Sequence, residues 1–321
     1  MKLLIYIPCW TNYRLAIDQV NRIESQITKL NLLDYSVEVD LMVSLNAVDE
    51  IDELHRNKLE SLGSNFRHFK QNIGDTNINL AFLDANLRGA THLWILSPDD
   101  EVSEVALNTI VTEFNQDKNL GFIVADETRS MQQGVQRIDI DGRKLDLSFI
   151  GKASYGLVSG LILQTRFFAK QMHFGVQSAF TCWGQLAVFL SGLTNHKNTS
   201  GIVIPAPFLY KRTDPKNLSL SRKMGNVENY SNSFFGYVYI LYRFSSKWKQ
   251  EVARWVLKNW YKVGMYKKAF FQNPENRDRI VNSFVLAEFV ISKSTLVTRT
   301  VFWLGTRLDL SRLARLLSNP R

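Results

Sequence analysis

Cysteine is nearly absent: Cys9 and Cys182 are the two in a chain of 321 residues. A pair cannot build a disulfide framework, so a reducing compartment is the simpler setting. A membrane-spanning helix is also missing, since it needs roughly 20 consecutive apolar residues. The uncharged, aromatic stretch from Asn229 to Tyr242 is shorter than that. The opening MKLLIYIP has one Lys, no long apolar core and no small-residue cleavage site, and is not read as a signal peptide. No internal repeat is visible. The length therefore suits one large α/β domain, or a core with an appendage.

Acidic and basic residues are both plentiful, but unevenly placed. Hydrophobic residues make up 45% and charged residues 21%, the composition of a folded globular chain rather than a disordered one. Residues 1–200 hold 18 Lys and Arg against 23 Asp and Glu, a net −5. Residues 201–321 hold 21 against 7, a net +14. An acidic front and a basic back imply two roles, and the back favours an anionic partner.

Strand and helix signals alternate over residues 1–125. Apolar runs at Leu3–Ile7 (ended by Pro8), Val37–Ser44, Phe66–Phe69, Leu93–Leu96 and Phe122–Ala125 read as strands. Helical spacing covers Tyr13–Leu30, Ile51–Leu62, Leu80–Leu87 and Val105–Phe114. Strands separated by helices imply a mainly parallel sheet, with ligands beyond the carboxyl ends of its strands. Residues 126–150 read as an acidic loop. Tyr155–Thr165 reads as strand and turn, Leu186–Leu190 as helical, and Gly201–Leu209 as a further strand. The character changes to aromatic and basic near residue 220, giving a domain at 1–220 and a basic helical region at 221–321.

The informative constellation is Ser97-Pro98-Asp99-Asp100-Glu101, directly after the fourth strand. Three adjacent acids repel one another unless solvated, capped or bound to a cation. Hard oxygen ligands suit Mg²⁺ or Mn²⁺, which in turn hold a diphosphate. The competing reading is that Asp99 or Ser97 caps a helix beginning near Val102, with Glu101 in its first turn.

Four segments in order resemble the inverting glycosyltransferases of family 2, which have the GT-A fold. Ile7-Pro8-Cys9-Trp10 with Asn12 and Arg14 is similar to I-P-x-[YW]-N-R. Val43-Ser44-Leu45-Asn46-Ala47-Val48-Asp49 is similar to V-S-D-N-x-S-x-D. Asn72-Ile73-Gly74 with Asn77 and Asn79 is similar to N-x-G-x-x-x-A-x-N. Trp94 to Glu101 is similar to the D-x-D region in its S-x-D-D form, and Ser159-Gly160-Leu161-Ile162 looks like the strand closing the acceptor side. The resemblance covers about residues 1–120 and implies a Rossmann-like GT-A sheet flanked by helices. It implies that Pro8, Cys9 and Trp10 line the nucleotide base, with Trp10 stacking on it. Asn46 then stands near the uracil or ribose, Asn79 belongs to the donor site, Asp99 contacts ribose or sugar, and Asp100 ligates a divalent cation. Leu45 stands where the family carries an acid, which leaves the nucleotide open. For Trp10 the competing reading is a core aromatic, and for Asn46 a turn residue.

A larger departure lies downstream. The family's acceptor-activating acid belongs near Thr181-Cys182-Trp183-Gly184-Gln185, yet no Asp or Glu occurs between Asp146 and Asp214. Gln185 cannot take a proton and is at most a positioning group. Cys182, His173, His196, Asp126 and Glu127 remain candidate bases, as does an acceptor such as a phosphate oxygen that needs none. Lys211 and Arg212 are candidates for the departing diphosphate, or else a solvated surface pair. In the tail, Trp248, Val252, Trp255 and Val256 recur at helical spacing beside Arg254, Lys258 and Lys262. That pattern suits an interfacial membrane helix or a packed helical layer. No nucleic-acid motif is present. The expectation is a divalent-cation-assisted sugar transferase, using a nucleotide-sugar donor and a glycan or lipid-linked acceptor in surface-polysaccharide synthesis. It would be cytoplasmic and peripheral at the inner face of the cell membrane. The alternatives are a nucleotidyltransferase on the same fold, or a catalytically silent GT-A domain serving as a membrane-bound assembly partner.

Overall fold

The sheet is built outward from its first strand. The computed structural model describes residues 1–10, 13–32, 36–74, 76–126, 134–140, 158–178, 184–195, 199–205, 209–211 and 240. Strand β1 (Lys2–Trp10) pairs in parallel with β2 (Glu38–Asn46) on one edge and with β4 (His92–Ile95) on the other. A strand paired on both edges and covered on both faces has no solvated side, so its apolar residues run on without alternation. Leu3, Leu4, Ile5, Tyr6 and Ile7 are accordingly all buried. β3 (Phe66–Phe69) extends the sheet in parallel beyond β2. Beyond β4, β8 (Leu161–Gln164) enters antiparallel, followed by β6 (Leu120–Asp126), β9 (Thr199–Pro205) and the antiparallel edge strand β7 (Gln136–Ile140). The resulting order is β3-β2-β1-β4-β8-β6-β9-β7. A separate two-stranded sheet pairs β5 (Asp100–Val102) antiparallel with β10 (Leu209–Lys211).

Helices cover both faces. They are α1 (Tyr13–Leu32), α2 (Glu53–Glu60), α3 (Thr76–Leu87), α4 (Ala106–Gln116), α5 (Thr165–Phe168), α6 (Met172–Gln177) and α7 (Gly184–Asn195). Leu3, Ile5 and Ile7 of β1 share one core cluster with Ala16, Val20 and Ile23 of α1 and Ile110 and Val111 of α4. Aromatic rings fill the other face: Phe82 of α3 meets Phe168 of α5 at 5.1 Å, and Phe122 of β6 meets Phe189 of α7 at 5.1 Å. This is the mainly parallel, helix-flanked GT-A sheet that the sequence implied.

Several boundaries differ from the sequence reading; α3, for one, begins at Thr76 rather than Leu80, and two further differences bear on the sheet. Pro8 does not end β1, which runs on to Trp10. Pairing with β4 stops at Tyr6, whose carbonyl accepts from the Leu96 amide at 2.8 Å, so a residue without an N–H is tolerated just beyond. The loop expected over 126–150 contains β7, a short antiparallel edge strand in which Ile138 is buried. The chain separates into two compact units, residues 1–218 and 219–321. Among the described residues no helix is long and apolar enough to cross a membrane. The basic tail, apart from Ile240, lies outside the described residues.

One buried titratable group gives the fold a pH dependence. His92, at the start of β4, lies with its ring 4.2 Å from that of Phe114 and its Nδ1 2.8 Å from Thr91 Oγ1. Burial, then the nearby positive amino terminus, Lys118 and Arg166, hold its pKa down at about 4, against 6.5 ordinarily. The unfolded chain therefore takes up a proton that the folded one refuses. Stability is complete above the unfolded value and falls as pH drops towards 4, by up to about 3 kcal/mol for this group. Chemical denaturation across that window is expected to show the loss, and His92→Gln to flatten it. An unchanged pH slope in the variant overturns the assignment.

Candidate functional site

The carboxyl ends of β1, β2 and β4 lie side by side, the edge at which open parallel sheets bind ligands. Trp10 ends β1 opposite Asn46, which ends β2. Trp10 is 39% exposed and offers a ring face for stacking. Pro8 is half-buried. The Cys9 side chain is buried in the core cluster, so in the donor-site expectation only its main chain could line a base. Asn46 is buried as well. Its Oδ1 accepts from the Ile73 amide at 2.8 Å and its Nδ2 donates to Asn72 Oδ1 at 3.3 Å. Asn72 Oδ1 also accepts from the Gly74 amide at 2.8 Å. Asn46 therefore spends its carboxamide on shaping the 72–74 loop. The next residue, Ala47, has φ 56°, a conformation that residues other than glycine rarely adopt and that concentrates at functional sites.

Beneath this rim a polar network fixes the first turn of α3. Asn77 Oδ1 accepts from Tyr6 Oη at 3.1 Å and from Ser44 Oγ at 2.5 Å, while its Nδ2 donates to the Ser44 carbonyl at 3.1 Å. Burial pushes the Tyr6 phenol up to about 12, so it stays protonated and donating. Arg67 of β3 forks onto Asp84 of α3 through two bonds of 3.1 Å. Arg14, the last residue of the first motif, reaches Asp52 at 3.5 Å. Asp52 also accepts from the Tyr13 hydroxyl at 2.9 Å and caps α2.

The acidic turn is organised differently from a helix cap. The Asp99 amide donates to Ser97 Oγ at 3.3 Å, but α4 begins only at Ala106 and its N-cap residue, Val105, makes no side-chain cap hydrogen bond. Asp100–Val102 is β5 instead, paired with β10 so that Lys211 stands opposite Asp100. The three acids are also divided: Glu101 meets Arg22 of α1 at 2.7 Å. Asp99 is exposed and Asp100 half-buried. Ser159 Oγ accepts from the Ser97 amide at 2.7 Å, and the Ser159 carbonyl accepts from Trp94 Nε1 at 2.9 Å. From the other side Gln19 Nε2 donates to the carbonyls of Ser97 and Asp100. Among the described residues no group of three or more His, Cys, Asp or Glu could hold a metal by itself. Mg²⁺ and its like usually take only one or two carboxylates and complete their shell with substrate phosphates and water. Asp100 fits that donor set in combination with a diphosphate.

A second polar group gathers where α3, α6 and α7 meet. Asn79 is buried, and neither end of its carboxamide has a hydrogen-bond partner. A Cβ on Gly175 would sit 2.6 Å from Asn79 Oδ1, and one on Gly184 would sit 2.9 Å away, so two glycines let the helices close on this side chain. Gln185 follows Gly184 in the first turn of α7, buried, with its Oε1 unpaired. Asp126 ends β6 opposite Pro205, and its side chain lies outside the described residues. His173 is exposed on α6. Asn12, Glu127, Cys182, His196 and Arg212 also lie outside the described residues. The sequence reading overlooked Gln19, Arg22 and Gln26. The first and last stand in the apolar stripe of α1 with Leu15, Val20, Ile23 and Leu30, and a polar residue in such a stripe is the signal that could have found them.

No protein-family model and no curated protein matches the chain. Solved structures do. The chain is similar to S. aureus TarS, with a TM-score of 0.62 and 11% identity, over 98% of this chain and 54% of that one. It is similar to TarS 1-349 in complex with UDP-GlcNAc, with a TM-score of 0.60 and 12% identity, over 98% of this chain and 90% of that one. The corresponding UDP complex gives a TM-score of 0.59 and 10% identity, over 100% and 93%. The chain thus spans about half the length of the longer TarS chain. At these identities the likeness establishes the fold.

The Asn79 wedge is testable by stability alone. Gly175→Ala is expected to cost about 1–3 kcal/mol in chemical denaturation, because its methyl meets Asn79 Oδ1 and Val188 Cγ2, at 2.6 and 2.9 Å. Adding Asn79→Ala is expected to return part of that loss, with a coupling of at least about 0.5 kcal/mol. Strictly additive costs would show that the two residues do not press on one another.

Proposed function

We propose that the protein transfers a sugar from a nucleotide diphosphate sugar to a glycan or lipid-linked acceptor in surface-polysaccharide synthesis. The observation that carries this reading is the Asp99–Asp100 turn, beyond β4, adjacent to the Trp10 end of β1, with Asp100 in register with Lys211. The solved TarS complexes, which share the fold, contain UDP and UDP-GlcNAc. In this reading Trp10 stacks on the base, with Pro8 and the Cys9 main chain beside it, Asn46 holds the 72–74 loop in place and Asn79 belongs to the donor site. Asp99 takes the ribose or sugar. Lys211 and Arg212 hold the diphosphate and stabilise the charge it gains on leaving. Asp100 holds a divalent cation, Mn²⁺ or Mg²⁺, whose chemistry is to neutralise the leaving diphosphate. Displacement at the anomeric carbon then requires an acceptor oxygen in line. Gln185 positions that acceptor without accepting its proton, and Asp126 is the carboxylate assigned to take it. The amide at Gln185 favours one second reading, a catalytically silent GT-A domain. Hydrolysis or transfer of UDP-GlcNAc by the purified chain separates the two.

The donor site predicts distinct failures. Asp100→Asn is expected to abolish the Mn²⁺-dependent part of UDP binding in calorimetry and leave the fold intact. Trp10→Ala is expected to weaken UDP binding by about tenfold with or without Mn²⁺, since base stacking contributes about 1–3 kcal/mol. Wild-type affinity in a folded Asp100→Asn protein would remove the metal role.

Residues 221–321 are proposed as a docking layer at the inner membrane face. Each Lys or Arg near an anionic surface contributes about 1 kcal/mol, and this part salt screens. Apolar insertion by the tryptophans is not screened. The protein is expected to bind anionic vesicles at low salt and to be largely released at high salt. Trp248→Ser with Trp255→Ser should weaken binding at every salt level. Replacing Arg254, Lys258 and Lys262 by Gln should mainly flatten the salt dependence. No binding at low salt would end the peripheral-membrane reading.

A further inference from the structure

We infer that Gln19 is a positioning residue for the acidic turn, and that α1 thereby fixes Asp99 and Asp100 relative to the Trp10 end of β1. The inference rests on the donor-site reading above and adds a residue to it. Gln19 has no exposed surface. Its Nε2 donates to Ser97 O at 3.3 Å and to Asp100 O at 2.5 Å, the two carbonyls that bracket Pro98 and Asp99. Bridging two acceptors from one atom needs two N–H groups, which a carboxamide has and neither Glu nor any apolar side chain of that length has.

The grip continues along one face of α1. Arg22 pairs with Glu101 at 2.7 Å and Lys29 with Glu104 at 3.2 Å. Gln26 donates to Ser103 O at 3.1 Å and accepts from the Leu107 amide at 2.9 Å. The contrast between the two glutamines carries the argument. Gln26 is satisfied at both ends of its carboxamide, as a purely structural brace should be. Gln19 is not: its Oε1 is buried without a partner. An unpaired buried amide oxygen is locally unfavourable, and such rule-breaking groups concentrate at functional sites. Here the carboxamide that tolerates it is the one holding the acids. Because α1 starts three residues after Trp10, one helix ties the stacking ring to the carboxylates.

The test uses the full chain with Gln19→Met and Gln26→Met. Hydrogen exchange is followed over residues 97–102, and UDP binding is measured with and without Mn²⁺. Gln19→Met is expected to speed exchange in that segment and to lower the Mn²⁺-dependent affinity by about 10- to 100-fold, the range found when groups behind a metal ligand are removed. Metal-free UDP binding should fall less, because it keeps the Trp10 stacking and loses only the Asp99 contact. Gln26→Met should lower the melting temperature and spare the Mn²⁺ dependence. Gln19→Asn, polar but too short to span both carbonyls, gives the same readout if the Met variant does not fold. Wild-type Mn²⁺ dependence in the folded Gln19 variant overturns the inference alone, as does an equal loss in Gln26→Met. A wild-type protein whose UDP binding ignores Mn²⁺ overturns the metal-assisted donor site and this inference together.

Discussion

Everything else in the described structure follows from enclosing β1 on all sides. With partners on both edges and helices on both faces, its middle residues must be apolar, and any polar group among them must be fully satisfied. Tyr6 meets that demand by donating to Asn77. At its carboxyl end β1 reaches solvent past the end of its pairing with β4, and Trp10 stands there. The same geometry carries the turn after β4 to that edge. At that turn Lys211 stands in register with Asp100 and Arg22 pairs with Glu101.

How much of this the sequence revealed depended on how local each cause is. Strands enclosed on both faces leave continuous apolar runs, so β1, β2, β4 and β6 were legible with little error. β5 was not. Asp-Glu-Val carries no strand pattern, and its partner at Leu209–Lys211 lies far along the chain, so the nearer signal of a helix cap appeared to fit. β7 escaped because it is a short edge strand built largely from polar residues, Gln136, Arg137 and Asp139. Within the site, the motif spacing located the right segments, but the roles of individual side chains depended on which way each one faces. Cys9 and Trp10 are neighbours with opposite fates, the first in the core and the second in solvent. Asn46 could be recognised as belonging to the site, while its commitment to the 72–74 loop could not be read from spacing.

Some buried polar atoms are orphaned. Gln19 lies against the acidic turn, while Asn79 and Gln185 lie where α7 starts beside α3. Leaving such atoms unpaired costs about 1–3 kcal/mol each, and the core clusters elsewhere are built from apolar residues that incur no such cost. Gln19, Asn79 and Gln185 border the regions proposed for donor and acceptor, while Ser103 Oγ and Asn108 Oδ1 near the start of α4 and Gln171 Oε1 are buried without a partner as well.

The amide at Gln185 has a consequence for acceptor chemistry. An alcohol acceptor must lose its proton as the glycosidic bond forms, and a buried carboxamide cannot receive it. On the proposed sugar-transfer reading such an acceptor would need a carboxylate within hydrogen-bonding distance of its hydroxyl, the role proposed above for Asp126. An acceptor whose nucleophile is already ionised, such as a phosphate oxygen, has no proton to give up and needs only orientation and charge balance. The net +14 of residues 201–321 favours an anionic partner, the kind of acceptor the second class describes. Acceptor charge and the missing acid are thus linked: the less the acceptor depends on deprotonation, the less α7 needs a carboxylate in its first turn.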